Sequence, residues 1–308
     1  MTPGLPWIWH EAYAADIGPH VFPTSKYDRV REVLLADGTV REEDLREPAA
    51  ASWDDLGRVH TREYLRKVRD RDFSRSEIFR LELPLTEEFR RASLLCAGGT
   101  TLAGRAAVDR GVCLHLGGGF HHAFADHGEG FCLLNDVAVA VRGLRAEGVI
   151  DRAAVVDCDV HQGNGTAAIF ADDDDVFTFS MHQAANYPLE KPPSDLDVGL
   201  EDGIDDDAYL GILAERLPAV LDTAPDLVVY LAGADPYRED QLGGLGLTKR
   251  GLRRRDELVL EACRERGVGV SACLAGGYAV RLDDTVAIHA ATGRACAASW
   301  RELRAASG

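Results

Sequence analysis

Short apolar stretches rich in β-branched residues alternate along most of the chain with longer segments of helical periodicity. The predicted strands are Val112–Leu116, Ala153–Cys158, Val176–Met181, Leu227–Leu231 and Val268–Leu274. The predicted helices are Ser25–Ala36, Thr61–Val68, Glu87–Arg110, Leu134–Glu147, Asp206–Leu221, Thr248–Arg266 and Asp283–Ala298. This alternation predicts an α/β fold with a central, mostly parallel β-sheet flanked by helices on both faces. No linker or internal repeat interrupts the pattern, so residues 1–308 are predicted to form a single domain.

The loops that follow four of the predicted strands combine glycines with titratable side chains. These loops are Gly117–His122, Asp157–Gly165, Ala232–Pro236 and Ala275–Tyr278. Ligands of parallel sheets bind at the carboxyl ends of the strands, so we expect a functional site where these loops meet. Strand alternation would place Asp157, Asp159 and His161 on one face, and such a buried cluster needs a cation.

Three of these side chains form a candidate metal site. Asp159 and His161, with Asp235 from a neighbouring strand, would supply three ligands and leave one position open, as in hydrolytic metal centres. The carboxylate-rich set suits Zn²⁺, and Fe²⁺ is the alternative metal. A second interpretation, in which these acids cap helices or pair with arginines, stays open at this point.

The remaining polar residues of the loops are candidates for acid–base chemistry. His121 and His122 have the side chain suited to a general acid and base near neutral pH. Tyr278 follows paired glycines and could donate its hydroxyl to a developing oxyanion. Adjacent surface histidines and a core tyrosine are the alternatives. His115 is predicted to be a core histidine bonded within the protein, whereas His127 and His182 are predicted to lie in loops beside the pocket.

Composition and charge restrict the class of protein. The chain has 34 Lys and Arg against 51 Asp and Glu, for a net charge of −17, and 46% of its residues are hydrophobic. This acidity argues against a nucleic-acid partner and against a basic membrane-surface protein. No apolar stretch reaches the length of a membrane span, and the N-terminal residues do not resemble a signal peptide. Seven scattered cysteines fit reduced thiols, so a cytoplasmic protein is expected.

The ordered motifs resemble those of the zinc-dependent histone deacetylases, which share the arginase/deacetylase fold. The resemblance covers most of the chain through His20–Pro23, Val59–Leu65, Gly98–Thr100, Gly117–His122, Gly130–Cys132, Asn135–Asp136, Asp157–Gly165, Gly233–Asp235, Leu242–Leu245 and Gly276–Tyr278. The short N-terminal region and the segments His161–Gly165 and Asp240–Leu245 look most like class IV and its bacterial relatives.

The resemblance implies a role for each catalytic position. It implies zinc ligands at Asp159, His161 and Asp235. It further implies that His122 is the general base that deprotonates the metal-bound water. His121 would be its electrostatic partner, hydrogen-bonded to Asp157, and Tyr278 would polarise the scissile carbonyl.

Further positions follow from the same resemblance. Asn164 stands where class I enzymes have an aspartate, and it would orient the second histidine without adding negative charge. Phe131 would line the acyl-lysine tunnel, the Gly130 carbonyl would accept a hydrogen bond from substrate, and Tyr187 is assigned to the facing wall. A structural K⁺ or Na⁺ would involve Asp157, Asp159, His161 and Ser180.

The implied activity is hydrolysis of an N-acyl-lysine amide, by a protein deacetylase or a long-chain deacylase. An amidohydrolase acting on a small N-acyl amine, such as an acetylpolyamine, is the first alternative. An acidic residue at the tunnel mouth would favour that alternative. A non-catalytic scaffold with a vestigial metal site is the second.

Overall fold

The strands form a single parallel sheet in the structure, a computed structural model that describes residues 4–306. They are β1 (Trp7–Ile8), β2 (Leu45–Arg46), β3 (Val112–His115), β4 (Ala153–Asp157), β5 (Val176–Gln183), β6 (Leu196–Leu200), β7 (Leu227–Leu231) and β8 (Gly269–Cys273). Their order is β2-β1-β3-β8-β7-β4-β5-β6, and each neighbouring pair is parallel. The predicted α/β class is confirmed; the two ends of the predicted domain 1–308 lie outside the described residues.

The helices cover the sheet in two groups. They are α1 (Lys26–Ala36), α2 (Trp53–Leu56), α3 (Arg62–Asp70), α4 (Arg75–Leu81), α5 (Glu87–Arg110), α6 (Asp136–Ala146), α7 (Asn164–Phe170), α8 (Asp206–Leu221), α9 (Lys249–Glu265) and α10 (Leu282–Ala306). In one group α5 packs on α6 and against β3 and β8; in the other α10 packs on α1 and α9, and α8 packs on α9. None of the helices within residues 4–306 is long and apolar enough to cross a membrane.

The central strands explain where the polar loops gather. β3, β4, β7 and β8 are buried along their whole lengths, as expected for parallel strands covered on both faces. They are consecutive in the sheet, in the order β3-β8-β7-β4. The four loops that follow them therefore emerge side by side at one edge.

The observed boundaries differ from the predicted ones in ways that affect the site. β4 ends at Asp157, so the prediction that Asp159 and His161 share a strand face with it is wrong; both lie in the following loop. β5 extends beyond Met181, so His182 is a buried strand residue and not a loop residue. The helix α7 begins within a glycine-rich segment and is short, and strands β1 and β2 have two residues each, too few to show periodicity.

Candidate active site

The predicted metal ligands meet at the carboxyl edge of the sheet. Asp159 and His161 come from the loop after β4 and Asp235 from the loop after β7, and ligand atoms of all three lie within 4.8 Å of one another. His161 Nδ1 is 3.1 Å from Asp159 Oδ1 and 3.6 Å from Asp235 Oδ2. All three side chains are buried. The structure therefore brings together the three side chains that the sequence offered as metal ligands.

One oxygen of this cluster is left without a donor. Asp235 Oδ1 accepts a hydrogen bond from the Val160 amide at 3.0 Å, and Asp159 Oδ2 accepts one from the Gly276 amide at 2.8 Å. Asp235 Oδ2 is buried and has no hydrogen-bond partner among the described residues. A buried acceptor without a partner is costly, and a divalent cation would satisfy it. The residues present therefore fit a divalent metal with three protein ligands.

The pKa values of the two buried carboxylates also favour a bound cation. Burial, and then the adjacent Asp159 carboxylate, raise the pKa of Asp235, although His161 opposes this. Burial also opposes ionisation of Asp159, but His121 and His161 overcome it and hold the pKa of Asp159 well below its usual range. Asp159 therefore stays ionised, whereas Asp235, whose pKa is raised to about 7, favours either a proton or a bound cation.

Glycines allow the loop after β8 to approach this cluster. A Cβ atom on Gly276 would lie 1.9 Å from Asp235 Oδ2 and 2.5 Å from Asp159 Oδ2. Gly277 has a φ of +147°, in a region that side chains rarely adopt. Any larger residue at position 276 would displace the ligands, so this close approach explains why glycine precedes Tyr278.

His121 and His122 lie beside the cluster and differ in charge. His121 Nδ1 is 2.6 Å from Asp157 Oδ2, and the Nε2 atoms of the two rings are 3.2 Å apart. Burial lowers the pKa of His121, but the Asp157 and Asp159 carboxylates overcome it and raise it to about 9. Burial, followed by the positive charges of His121 and His161, holds the pKa of His122 well below its usual range. The pair therefore holds one imidazolium and one neutral imidazole, and only the neutral ring can accept a proton.

Asn164 orients the neutral histidine and is itself held by a residue that sequence reasoning missed. Asn164 Oδ1 is 2.7 Å from His122 Nδ1, while its Nδ2 donates to Glu129 Oε1 at 2.8 Å. The Tyr187 hydroxyl donates to the same Glu129 oxygen at 2.7 Å. The sequence feature that could have indicated Glu129 is its position directly before the Gly130–Cys132 motif.

Asp240 and Lys26 hold Tyr278 and its loop in place, and the sequence by itself assigned neither residue a role at the site. The Tyr278 amide donates to Asp240 Oδ2 at 2.6 Å, and its ring centroid lies 6.5 Å from that of His161. The buried ammonium of Lys26 donates to the Ala275 carbonyl at 2.7 Å and lies 5.7 Å from the Tyr278 ring centroid. The sequence places Lys26 in a predicted helix, but it does not indicate that this lysine is buried behind the loop.

Gly130 and Phe131 lie at the predicted tunnel. Both line the same small cavity as His122 and Tyr278. The Phe131 ring lies parallel to that of Phe22, with centroids 6.1 Å apart, and meets Tyr278 edge-on at 5.9 Å. An aromatic wall thus stands next to the catalytic tyrosine candidate.

Tyr187, the predicted facing wall, lies on the other side of His122. The centroids of these two rings are 4.9 Å apart at a near-perpendicular angle. Tyr187 lines an adjoining surface groove and not the small cavity itself. The groove also carries the exposed side chains of Phe79, Leu189 and Glu82.

Ser180, named for a monovalent cation, is adjacent to the site through the sheet. It pairs in register with Asp157 across strands β4 and β5. Its hydroxyl is 2.9 Å from His182 Nδ1. The buried His182 therefore belongs to the support of this strand end and not to the pocket rim.

A second group of three metal-ligand side chains lies in the described core, and its members are His115, Asp136 and Cys273. The Thr100 hydroxyl stands among them: it is 3.0 Å from His115 Nδ1, is 3.9 Å from Cys273 Sγ and donates to Asp136. The Tyr13 hydroxyl is 2.8 Å from the other ring nitrogen of His115. His115 is thus a bonded core histidine, as predicted, and Asp136 also accepts two backbone amides just before His121.

The parallel sheet, with the buried Asp159, His161 and Asp235 at its carboxyl edge, defines an α/β protein with the arginase/deacetylase fold. The family model described as the histone deacetylase domain matches residues 20–293, a span that contains the whole site. The chain therefore belongs to the histone deacetylase domain family. The family comprises deacetylases and amidohydrolases and is typically metal-dependent.

Individual relatives agree with this assignment. An uncharacterized protein of Picosynechococcus sp. is 41% identical over 294 residues, which cover 95% of this chain and 98% of that protein. Histone deacetylase 2 of Arabidopsis thaliana is 33% identical over 273 residues, covering 84% of this chain and 70% of that protein. The crystal structure of the HDA15 HD domain matches with a TM-score of 0.82 at 23% identity, covering 98% and 92% of the two chains. This last similarity concerns the fold alone.

Proposed function

We propose that the chain hydrolyses N-acyl-lysine amides, as a class IV type deacetylase or long-chain deacylase. The observation that carries the proposal is the buried Asp235 Oδ2, which has no hydrogen-bond partner among the described residues. Its cluster mates Asp159 and His161 line one small cavity together with His122 and Tyr278. Membership in a family of deacetylases and amidohydrolases supports the same reaction class. Water adds across the amide, and the products are a carboxylate and an amine.

The metal proposed for this reaction is Zn²⁺, with Fe²⁺ as the alternative. The two carboxylates and one imidazole of Asp159, His161 and Asp235 suit either ion. When bound, such an ion polarises the amide carbonyl and lowers the pKa of a water molecule. We also propose a structural K⁺ or Na⁺ near Asp157 and Ser180.

The protein's own residues move the proton and stabilise charge. His122 takes a proton from the attacking water through Nε2, and it later delivers that proton to the leaving amine. His121, kept positive by Asp157, balances the negative charge that develops nearby. The Tyr278 hydroxyl donates to the oxyanion. Water supplies both the oxygen of the acid and the proton of the amine, so atoms and charge balance.

The tunnel residues position the substrate in this proposal. Phe131 and Tyr187 flank the acyl-lysine chain, and the Gly130 carbonyl accepts a hydrogen bond from the substrate amide. The exposed apolar side chains of Phe79 (85% exposed) and Leu189 (98% exposed) in the groove beside Tyr187 favour a polypeptide substrate.

One observation favours the alternative of a small N-acyl amine, such as an acetylpolyamine. Glu82 is an exposed carboxylate in the groove beside Tyr187, where it could attract a cationic substrate. The same carboxylate would also attract a lysine-rich peptide. Glu82→Gln therefore separates the two: it should raise KM strongly for a polyamine and only weakly for an uncharged acyl-lysine peptide.

The seven cysteines support a cytoplasmic location, which we also propose. All seven are free and buried, as expected in a reducing compartment. The net charge of −17 argues against a nucleic-acid partner. An acylated lysine or a small acylated amine is the proposed partner.

The decisive experiment measures turnover of acetyl-, long-acyl- and trifluoroacetyl-lysine peptides beside acetylpolyamines, with and without a chelator. We expect peptide turnover that the chelator abolishes and added Zn²⁺ restores. His122→Ala and Tyr278→Phe should each lower kcat roughly 10²- to 10³-fold while leaving the melting temperature nearly unchanged. Near-normal turnover in both variants would contradict the roles proposed here. A metal-loaded protein that turns over none of the substrates would instead favour the scaffold.

A further inference from the structure

Glu129 connects two side chains that flank the imidazole of His122. Its Oε1 accepts hydrogen bonds from Asn164 Nδ2 at 2.8 Å and from the Tyr187 hydroxyl at 2.7 Å, and its Oε2 lies 3.5 Å from His127 Nε2. Burial opposes ionisation, but His127, Tyr187 and Asn164 together hold the pKa of Glu129 below its usual range. An ionised carboxylate accepts hydrogen bonds and cannot donate them.

This restriction determines how Asn164 is oriented. Because Glu129 can only accept, Asn164 must turn its Nδ2 group toward Glu129 and its Oδ1 atom toward His122. Oδ1 also only accepts, so His122 Nδ1, 2.7 Å away, must carry the ring hydrogen. In the neutral ring Nε2 is then the unprotonated nitrogen, and it faces His121 Nε2 at 3.2 Å.

We propose that Glu129 is a positioning residue that fixes the amide orientation of Asn164 and thereby the tautomer of His122. The inference rests on the proposed function, because only a general base requires a free Nε2. Asparagine by itself does not fix its own orientation: rotating its amide by half a turn would present an N–H group to His122 Nδ1 and oppose the His121 Nε2–H group that faces His122 Nε2. That orientation stabilises the tautomer with hydrogen on Nε2, which cannot accept a proton from water.

The packing around Asn164 holds its backbone in place but does not by itself determine how its side-chain amide is rotated. Asn164 is the first residue of α7 and is 2% exposed, so its backbone is fixed. A Cβ atom on Gly165 would lie 2.3 Å from the Ala123 carbonyl, which shows how closely this turn packs on the loop that follows His122. An aspartate at position 164 would need no such anchor, because both of its oxygens accept.

The direct test observes the tautomer in the metal-free protein. Long-range ¹H–¹⁵N spectra of histidine-labelled protein should show His122 with its hydrogen on Nδ1. Glu129→Ala, or Glu129→Met where the smaller side chain impairs folding, should give a mixture of both tautomers. Glu190→Ala, which removes an exposed carboxylate from the same groove, is the matched control and should leave the His122 signals in place.

Kinetics supply a second, independent readout. Glu129→Ala should lower kcat about 10- to 100-fold, the range typical of residues that orient a catalytic ligand, and should change KM less than about twofold. Asn164→Asp in the Glu129→Ala background should recover most of kcat, because either carboxylate oxygen accepts from His122. Asn164→Asp alone should give no such gain, since it would place two carboxylates in contact.

Three results would overturn the proposal: an unchanged His122 tautomer in Glu129→Ala, a rise in KM with kcat unchanged, or no recovery in the double variant. A KM effect alone would make Glu129 a carboxylate that binds substrate. The spectra require no turnover, so they separate this proposal from the previous one. If the His122 tautomer depends on Glu129 but no acyl amide is hydrolysed, the positioning role stands and the proposed function fails.

Discussion

Two buried clusters near the carboxyl edge of the sheet look alike by composition and differ in their hydrogen bonds. One contains Asp159, His161 and Asp235, and the other contains His115, Asp136 and Cys273. In the second, the Thr100 hydroxyl occupies the centre and bonds the ring nitrogen and the carboxylate. In the first, Asp235 Oδ2 has no hydrogen-bond partner among the described residues and lies 3.6 Å from His161 Nδ1.

The difference shows what distinguishes a metal site from a core network. Both clusters bring three potential ligands within reach of one another, so the number of ligands decides nothing. Asp136 accepts from Thr100 and from two backbone amides, so both of its oxygens have donors, although burial still raises its pKa. Asp235 and Asp159 both lie against the His161 imidazole, and burial together with the Asp159 carboxylate raises the pKa of Asp235, so a divalent ion would stabilise its ionised form.

Asp235→Asn should have the largest effect, and it tests most directly whether the two clusters differ in metal binding. We expect turnover to fall at least about 100-fold and zinc content to drop well below one ion per chain, measured by elemental analysis. The melting temperature of the metal-free protein should rise, because one of two adjacent buried carboxylates loses its charge. Full zinc content in this variant would mean that Asp235 is not a ligand.

Thr100→Val should have an intermediate effect, on stability alone. Loss of the hydroxyl leaves His115 Nδ1 without its partner and removes one of the donors to Asp136, so the free energy of unfolding should fall by about 1–3 kcal/mol in denaturant titrations. Zinc content should stay unchanged. Thr100→Ser, which keeps the hydroxyl, should retain most of the stability. A change of zinc content in Thr100→Val would show that the second cluster also takes part in metal binding.

A third test uses the pH dependence of the stability of the metal-free protein. The folded protein raises the pKa of Asp235 from 3.8 to about 7, so its carboxyl favours folding when protonated. That contribution is complete below the unfolded value and is lost as pH rises through the folded value. The free energy of unfolding should therefore decline between about pH 4 and pH 7. Asp235→Asn should flatten this decline, and an equal slope in both proteins would rule out Asp235 as its source.

Much of the site could be predicted from the sequence, but one reason behind the prediction was wrong. Strand alternation does not bring Asp159 and His161 together, because β4 has ended before them. Their loop is instead shaped by its own carboxylates: the Asp159 amide donates to Asp157 Oδ1, and the His161 amide donates to Asp159 Oδ1, each at 3.0 Å. The Asp-x-Asp-x-His spacing thus works through local turn bonds, a pattern that alternation along a strand would not reveal.

The supporting residues could not be predicted, because their partners are distant in sequence. Glu129 meets Asn164 across 35 positions, Asp240 meets Tyr278 across 38, and Lys26 meets Ala275 across 249. The periodicity of the predicted helix that contains Lys26 does not indicate any of these contacts. Each was an ordinary charged residue until the fold placed it next to a catalytic candidate.

The sequence by itself determined which reactive side chains the protein has, and it indicated that they meet at the carboxyl edge of the sheet. Buried parallel strands must end in loops on one side of the sheet, so the order of the motifs was enough to group Asp159, His161 and Asp235 with His121, His122 and Tyr278. Only the tertiary structure decided which buried charges are balanced. That balance depends on donors a few ångströms away, such as the Thr100 hydroxyl beside Asp136 or the Asn164 amide beside Glu129, and such distances exist only after folding.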